Sequence, residues 1–144
     1  MSHKILLIDD DGDDREFFLD AISKVSSQVS CTVLESCMNL IPDLTAGKIE
    51  RPDLIFLDIN IPEMSGWTCL ALLKKNALLA DIPVIMYSTS NHIEEAMRAK
   101  KEGAVSFFTK PYDLKELHEI LKEVIEHMDE NTLTELHQNS DRFY

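Results

Sequence analysis

Short apolar runs alternate along this chain with stretches whose apolar residues recur every three to four positions, a pattern that predicts parallel βαβ units. Ile5–Ile8 reads as the first strand. The helix after it covers about Asp13–Val25, with Phe18, Ala21, Ile22 and Val25 on one face. Cys31–Leu34 forms a plausible second strand, and Pro42 interrupts any helix over Cys37–Gly47. Pro52 introduces the strand Leu54–Leu57, which ends at Asp58 ahead of Pro62. A helix follows Gly66, with Trp67, Leu70, Ala71 and Leu73 pointing inward. Pro83 introduces Val84–Tyr87, which ends at Ser88.

The next helix opens at Asn91, where Glu94 stands in capping-box spacing. Its thin apolar content (Ile93, Ala96, Met97) leaves one face for a partner. Gly103 closes it, and Ala104–Phe108 is the fifth strand, ending near Lys110-Pro111. The last helix starts with Asp113 and Glu116 in the same capping pattern and carries Leu114, Leu117, Leu121, Val124 and Met128. From Asp129 to Tyr144 the chain is polar and acidic, a tail expected to fray or to prolong the helix.

At 144 residues the chain is long enough for one domain with a hydrophobic core and too short for two. The formal charge of −12 argues against direct binding of nucleic acid, which needs a basic face. No apolar stretch approaches the roughly 20 residues needed to cross a bilayer, and Met1-Ser2-His3-Lys4 lacks a signal-peptide core. Cys31, Cys37 and Cys69 are odd in number and widely spaced, so they read as buried, reduced thiols of a cytoplasmic protein. His3, His92, His118, His127 and His137 follow no zinc-binding spacing and read as surface residues.

The densest chemical signal is Asp9-Asp10-Asp11-Gly12-Asp13-Asp14, five carboxylates in six positions directly after the first strand. Asp9 and Asp10 belong at the strand's C-terminal edge, where open α/β sheets bind ligands, while Asp13 and Asp14 suit the first turn of the helix. Crowded acids of this kind suit Mg²⁺ or Ca²⁺. The other strand ends supply Asp58, Ser88 and Lys110, so all these groups fall on one edge of a parallel sheet. Three carboxylates make a pocket for a hard divalent cation, with Mg²⁺ favoured because it keeps several waters and accepts few carboxylates. Lys110 adds a mobile positive charge and Ser88 a hydroxyl donor. The set is suited to a phosphoryl group moving onto Asp58 as nucleophile. The competing reading is a satisfied network in which Lys110 only neutralises buried acids.

With these residues in place, the chain resembles the receiver domain of bacterial two-component response regulators. The resemblance rests on Lys4-Ile5-Leu6-Leu7-Ile8-Asp9-Asp10, Leu57-Asp58-Ile59-Asn60-Ile61-Pro62 with Gly66, Met86-Tyr87-Ser88, and Gly103 with Phe107-Phe108-Thr109-Lys110-Pro111. It implies a flavodoxin-like α/β fold, a five-stranded parallel sheet of order 2-1-3-4-5 with helices on both faces. It further implies Asp58 as phosphoacceptor, Asp10 as a direct Mg²⁺ ligand, Asp9 as a ligand through water, and Asn60 as the donor of a backbone carbonyl. Ser88 takes the Thr/Ser switch position, Phe107 the aromatic switch position, and Lys110 the place of the phosphoryl-contacting lysine. The Lys110–Pro111 bond falls where the family often has a cis peptide. Three departures stand out: Thr89 where a small Ala is usual, Phe107 without the hydroxyl of the commoner Tyr, and Ser65 where an acid or Asn is frequent.

The implied partners are a sensor histidine kinase and either a downstream protein or a phosphotransfer protein, with a homodimer through the face formed by the Asn91–Lys101 helix, the fifth strand and the last helix as a further option. Residues 1–128 are expected to form the receiver and 129–144 the tail, with no output domain following. The protein would then be no enzyme beyond its own phosphorylation and dephosphorylation. Met97, Phe107, Phe108 and Tyr112 are each read as core. Three alternatives compete. A Mg²⁺-dependent aspartyl-nucleophile phosphatase needs an acid two residues after the nucleophile, where Asn60 stands. A nucleotide-binding module needs a Gly-rich first turn, and this one is acidic. A degenerate receiver acting as a constitutive binding module would not need the intact Asp9, Asp10, Asp58, Ser88 and Lys110 set.

Overall fold

The structure is a computed structural model and describes residues 2–90, 92–136 and 143–144. The elements run β1 (His3–Ile8), α1 (Gly12–Val25), β2 (Val29–Leu34), α2 (Leu40–Thr45), β3 (Leu54–Asp58), α3 (Gly66–Lys75), β4 (Val84–Ser88), α4 (Ile93–Lys101), β5 (Ser106–Thr109) and α5 (Leu114–Glu130), followed by a 3-10 turn at Leu133–Glu135. The five strands form one parallel sheet of order β2-β1-β3-β4-β5, the flavodoxin-like arrangement expected from the motifs.

β3 and β4 are buried along their whole length because helices cover both faces of the sheet, and this is why they read as continuous apolar runs. Alternate residues divide between two cores. Leu6, Ile8, Ile55, Leu57, Met86 and Phe107 pack under α2, α3 and α4. Ile5, Leu7, Phe56, Ile85, Tyr87 and Phe108 pack under α1 and α5. Asp11, Ser65 and Asp113 cap α1, α3 and α5, each side chain accepting from the amide three residues on.

Several expectations change. Pro42 does not prevent a helix: it sits in the first turn of the short α2, where a missing N–H costs nothing. The expected cap residue Asn91 lies outside the described residues, and His92 stands at the N-cap of α4 without a side-chain hydrogen bond. Phe107 and Phe108 are core, but Met97 is 67% exposed, because α4 turns only Ala96 and Ala99 toward the sheet, and Tyr112, in the loop before α5, is 98% exposed. Cys37 and Cys69 are joined in a disulfide, not held as reduced thiols. Thirty-two residues apart in sequence, they gave no pairing signal, yet the segment before α2 and the first turns of α3 meet over the same face of the sheet. Cys31 is the free thiol, and burial pushes its pKa up to about 12.

Nor are the histidines uniformly on the surface. β1 begins two residues earlier than predicted, so His3 is buried and its Nε2 lies 2.6 Å from Asp129. His127 packs on Thr132, and the Nε2 of His118 is buried; His92 is exposed, and His137 lies outside the described residues.

Of the tail, Asp129 and Glu130 prolong α5, and Asn131 ends it in the left-handed conformation. Phe143 and Tyr144 fold back onto β5, which the polar composition of the segment did not signal. The Tyr144 amide donates to the Phe107 carbonyl at 3.0 Å, the Ser106 hydroxyl donates to the Tyr144 carbonyl at 3.1 Å, and Phe143 is buried against Phe108.

Candidate functional site

The parallel register brings the strand ends together: Ile8 pairs with Leu57, Asp58 with Tyr87, and Ser88 with Thr109. Asp9 and Asp58 are therefore carried on adjacent strands, and both are buried. Ligand oxygens of Asp9, Asp10 and Asp58 all lie within 4.8 Å of one another. Asp10 is the exposed member, open to solvent at the rim.

Lys110 enters from the end of β5, fixed at its backbone by an N–H bond of 2.7 Å to the Ser88 carbonyl. Its Lys110–Pro111 bond is trans, since no cis peptide occurs among the described residues; the expected cis bond is not present. Its Nζ lies 2.9 Å from Asp58 Oδ2, 3.1 Å from Asp9 Oδ2 and 2.9 Å from Asp14 Oδ2. Burial works against the Lys110 ammonium, but hydrogen bonds and charge from Asp14, Asp58 and Asp9 outweigh it and raise its pKa above the usual lysine value.

The second oxygen of Asp58, Oδ1, accepts from the backbone N–H of Asn60 at 3.0 Å. Burial pushes the Asp58 carboxyl up to about 6, more than Lys110 and the Asn60 amide pull it down. Asp9 is held on both oxygens: Oδ1 accepts from the Asp11 amide at 2.9 Å, and Oδ2 from the Tyr87 hydroxyl at 2.7 Å. Ser88 is buried, and its hydroxyl accepts from the Ser90 amide at 3.1 Å. Phe107 is fully buried on the α4 side, its ring 6.1 Å from that of Tyr144.

Gly66 closes the floor of the site. Its amide donates to the Ile59 carbonyl at 2.9 Å, which lays α3 directly on the backbone that carries Asp58.

The raised Asp58 pKa has a sign that can be checked. A carboxyl easier to protonate in the folded state favours folding below its unfolded pKa, and that contribution is lost as pH rises through the folded value. Metal-free protein is therefore expected to gain thermal stability relative to Asp58→Asn as pH falls through about 6 toward 3.8. A constant difference in melting temperature between the two proteins across that window would contradict the assignment.

Every strand-end residue singled out in the sequence thus lies at this edge. Two contributors were not anticipated. Asp14 suits the first turn of α1 by sequence, yet that turn faces the strand ends and brings its carboxylate to Lys110. Tyr87 read as one more apolar strand residue, and its place beside Ser88 was the available signal. Four carboxylates facing one ammonium leave an excess of negative charge, and an all-oxygen donor set of this kind fits a hard divalent cation. No helix among the described residues is long and apolar enough to cross a membrane.

Comparison with known proteins agrees with this geometry. The chain is 32% identical over 126 residues to the phosphate regulon transcriptional regulatory protein PhoB of Klebsiella pneumoniae, covering 87% of this chain and 52% of that protein. It thus spans about half the length of that relative. Among solved structures, the phosphorylated cyanobacterial phytochrome response regulator RcpA superposes with a TM-score of 0.81 at 26% identity, over 91% of this chain and 96% of that one. The Mn²⁺-bound form of the response regulator Rcp1 gives 0.74 at 26% identity, over 85% and 91%. The model of the response regulator receiver domain, a module of two-component signalling, matches residues 5–122, and this chain belongs to that family.

Proposed function

We propose that Asp58 accepts a phosphoryl group from a sensor histidine kinase in a Mg²⁺-dependent reaction, and that the modified protein signals by changing its binding to a downstream protein or by passing the group to a phosphotransfer protein. The observation that carries this reading is the pairing of Asp58 with Lys110 at 2.9 Å inside a cluster of acids that one ammonium does not neutralise. That Rcp1 binds Mn²⁺ and that RcpA is found phosphorylated supports the same chemistry here.

In this scheme Asp9, Asp10, Asp58 and the Asn60 backbone carbonyl hold the cation. Asp9, whose oxygens already accept from Asp11, Tyr87 and Lys110, acts through water. When bound, Mg²⁺ offsets negative charge on the carboxylates and on the transferred phosphoryl oxygens. An Asp58 oxygen forms the bond to phosphorus, and the donor's bond to phosphorus breaks with its electron pair leaving on the donor. Lys110 exchanges its contact with Asp58 for one with the phosphoryl group, and Ser88 turns its hydroxyl from Ser90 to another phosphoryl oxygen. Those contacts favour one arrangement of the loop after β4 and of Phe107, a shift of population between two states.

Residues 1–128 serve as the receiver unit, a signalling module with no substrate turnover beyond its own phosphorylation cycle. The readout face is α4–β5–α5, through which a homodimer also becomes possible. Phe143 and Tyr144 contact β5 on that face.

Incubation with Mg²⁺ and a small acyl phosphate is expected to add one phosphoryl group per chain, measured by intact mass. Asp58→Ala should take up none, and chelation of the metal should suppress the reaction in the unmodified protein. Uptake by Asp58→Ala equal to that of the unmodified protein would refute the proposal.

A further inference from the structure

The Asp9–Tyr87 bond joins residues 78 apart in sequence and is buried at both ends. The Tyr87 side chain touches both charge types of the site at once. Its hydroxyl is 2.7 Å from Asp9 Oδ2, and Lys110 Nζ lies 4.9 Å from the centre of its ring, within cation–π range. On its other side the ring stacks on Phe108, with centroids 5.4 Å apart and planes within 6°. The ring is thus clamped by the α1–α5 core while its polar end reaches the acids.

We infer that Tyr87 is a positioning residue for the divalent-cation site: its hydroxyl fixes the Asp9 carboxylate in the orientation that receives the ion's water, and its ring sets the resting place of the Lys110 ammonium. This deepens the reading of the same site and rests on it.

Three features single out the hydroxyl from ordinary aromatic packing. Asp9 is fully buried, so its orientation is set by protein donors and not by bulk water. The Asp11 amide holds Oδ1 by local chain geometry, leaving Tyr87 and Lys110 to hold Oδ2. Lys110 is the mobile one of that pair, because in the proposed reaction it moves onto the phosphoryl group. Tyr87 then remains as the fixed side-chain donor on Oδ2. Donors of this kind behind a metal-binding carboxylate hold it in register for the ion.

The test is calorimetric titration of Mg²⁺ alone into the unphosphorylated protein and into Tyr87→Phe, which keeps the ring and its stacking but loses the hydroxyl. The positioning role predicts a dissociation constant raised about tenfold or more, the usual cost of losing a donor behind a metal ligand. An unchanged constant overturns it. Coupling to Asp9 supplies a second, independent readout: in an Asp9→Ala background, which removes the acceptor, Tyr87→Phe should produce no further weakening, whereas a full additional loss would show an effect that does not pass through Asp9 and would overturn the role.

The calorimetry decides the role of Tyr87 whether or not phosphorylation occurs. Acyl-phosphate labelling of the unmodified protein, run alongside, decides the phosphoacceptor reading. The two failures are therefore separable.

Discussion

Lys110→Ala is expected to lower the stability of the metal-free protein sharply and to do so much less when Mg²⁺ is saturating. Lys110 Nζ touches Asp9, Asp14 and Asp58 within 3.1 Å, and two of those carboxylates are buried. Removing one partner of a buried ion pair typically costs roughly 3–5 kcal/mol, because the remaining charge is left without compensation. Asp58 can relieve part of this by taking up a proton, since its carboxyl already titrates near 6. A divalent ion among the same acids supplies the missing positive charge. Chemical denaturation with and without Mg²⁺ should therefore show a wide gap between Lys110→Ala and the parent in chelator, narrowing as the metal is added. The variant should still bind Mg²⁺ while losing the phosphorylation-dependent change in partner binding. A gap of equal size under both conditions would mean that lysine and metal do not act on a shared set of charges.

Gly66→Ala is expected to be the most damaging of the glycine-to-alanine changes. A Cβ at Gly66 would press on the Asp58 carbonyl oxygen and come within 2.8 Å of Ile59 Cα, and both neighbours are backbone. Neither can turn aside as a flexible side chain can, so either α3 lifts from the sheet or the Asp58 strand end shifts. Overpacking a dense interior costs about 1–3 kcal/mol and occasionally more, and a backbone clash belongs at the upper end. Gly12→Ala is the contrast. There the added carbon meets Arg15 Nη2 at 3.6 Å, an ordinary contact, so no comparable loss is expected. Denaturation midpoints of the two variants measured side by side check the claim, and equal midpoints would refute it. Any Gly66→Ala protein that still folds should also show impaired uptake of a phosphoryl group, because its acceptor backbone has moved.

How much of this could be read from the residues follows from which interactions are local. Strands β3 and β4 announced themselves because proline punctuation and unbroken apolar runs bracket Leu54–Asp58 and Val84–Ser88. The capped start of α5 was visible in Asp113 and Glu116, three positions apart. Asp9, Asp10, Asp58, Ser88 and Lys110 were found together because a parallel sheet puts all strand C-termini on one edge, so topology alone implied their proximity. What escaped notice depends on contacts between distant segments or on direction within an element. Asp14 looked like a helix-dipole residue, since sequence does not show that the first turn of α1 leans over the site. Tyr87 was hidden by its own strand, where an aromatic residue is unremarkable until its hydroxyl is seen on Asp9. The Cys37–Cys69 pairing and the return of Phe143 and Tyr144 to β5 likewise have no local signature. Met97 and Tyr112 were misjudged for a related reason: composition says that a residue is apolar, not which way α4 or the loop before α5 turns it.

The most direct test of the central claim is to locate the phosphoryl group by chemistry. After reaction with Mg²⁺ and acyl phosphate, borohydride reduction converts a phosphorylated aspartate to homoserine, and peptide mass spectrometry then identifies the altered residue. Homoserine is expected at position 58 and at no other aspartate. Reduction at Asp9, Asp10 or Asp14 instead, or an unaltered Asp58 in protein whose intact mass shows the added group, would contradict it.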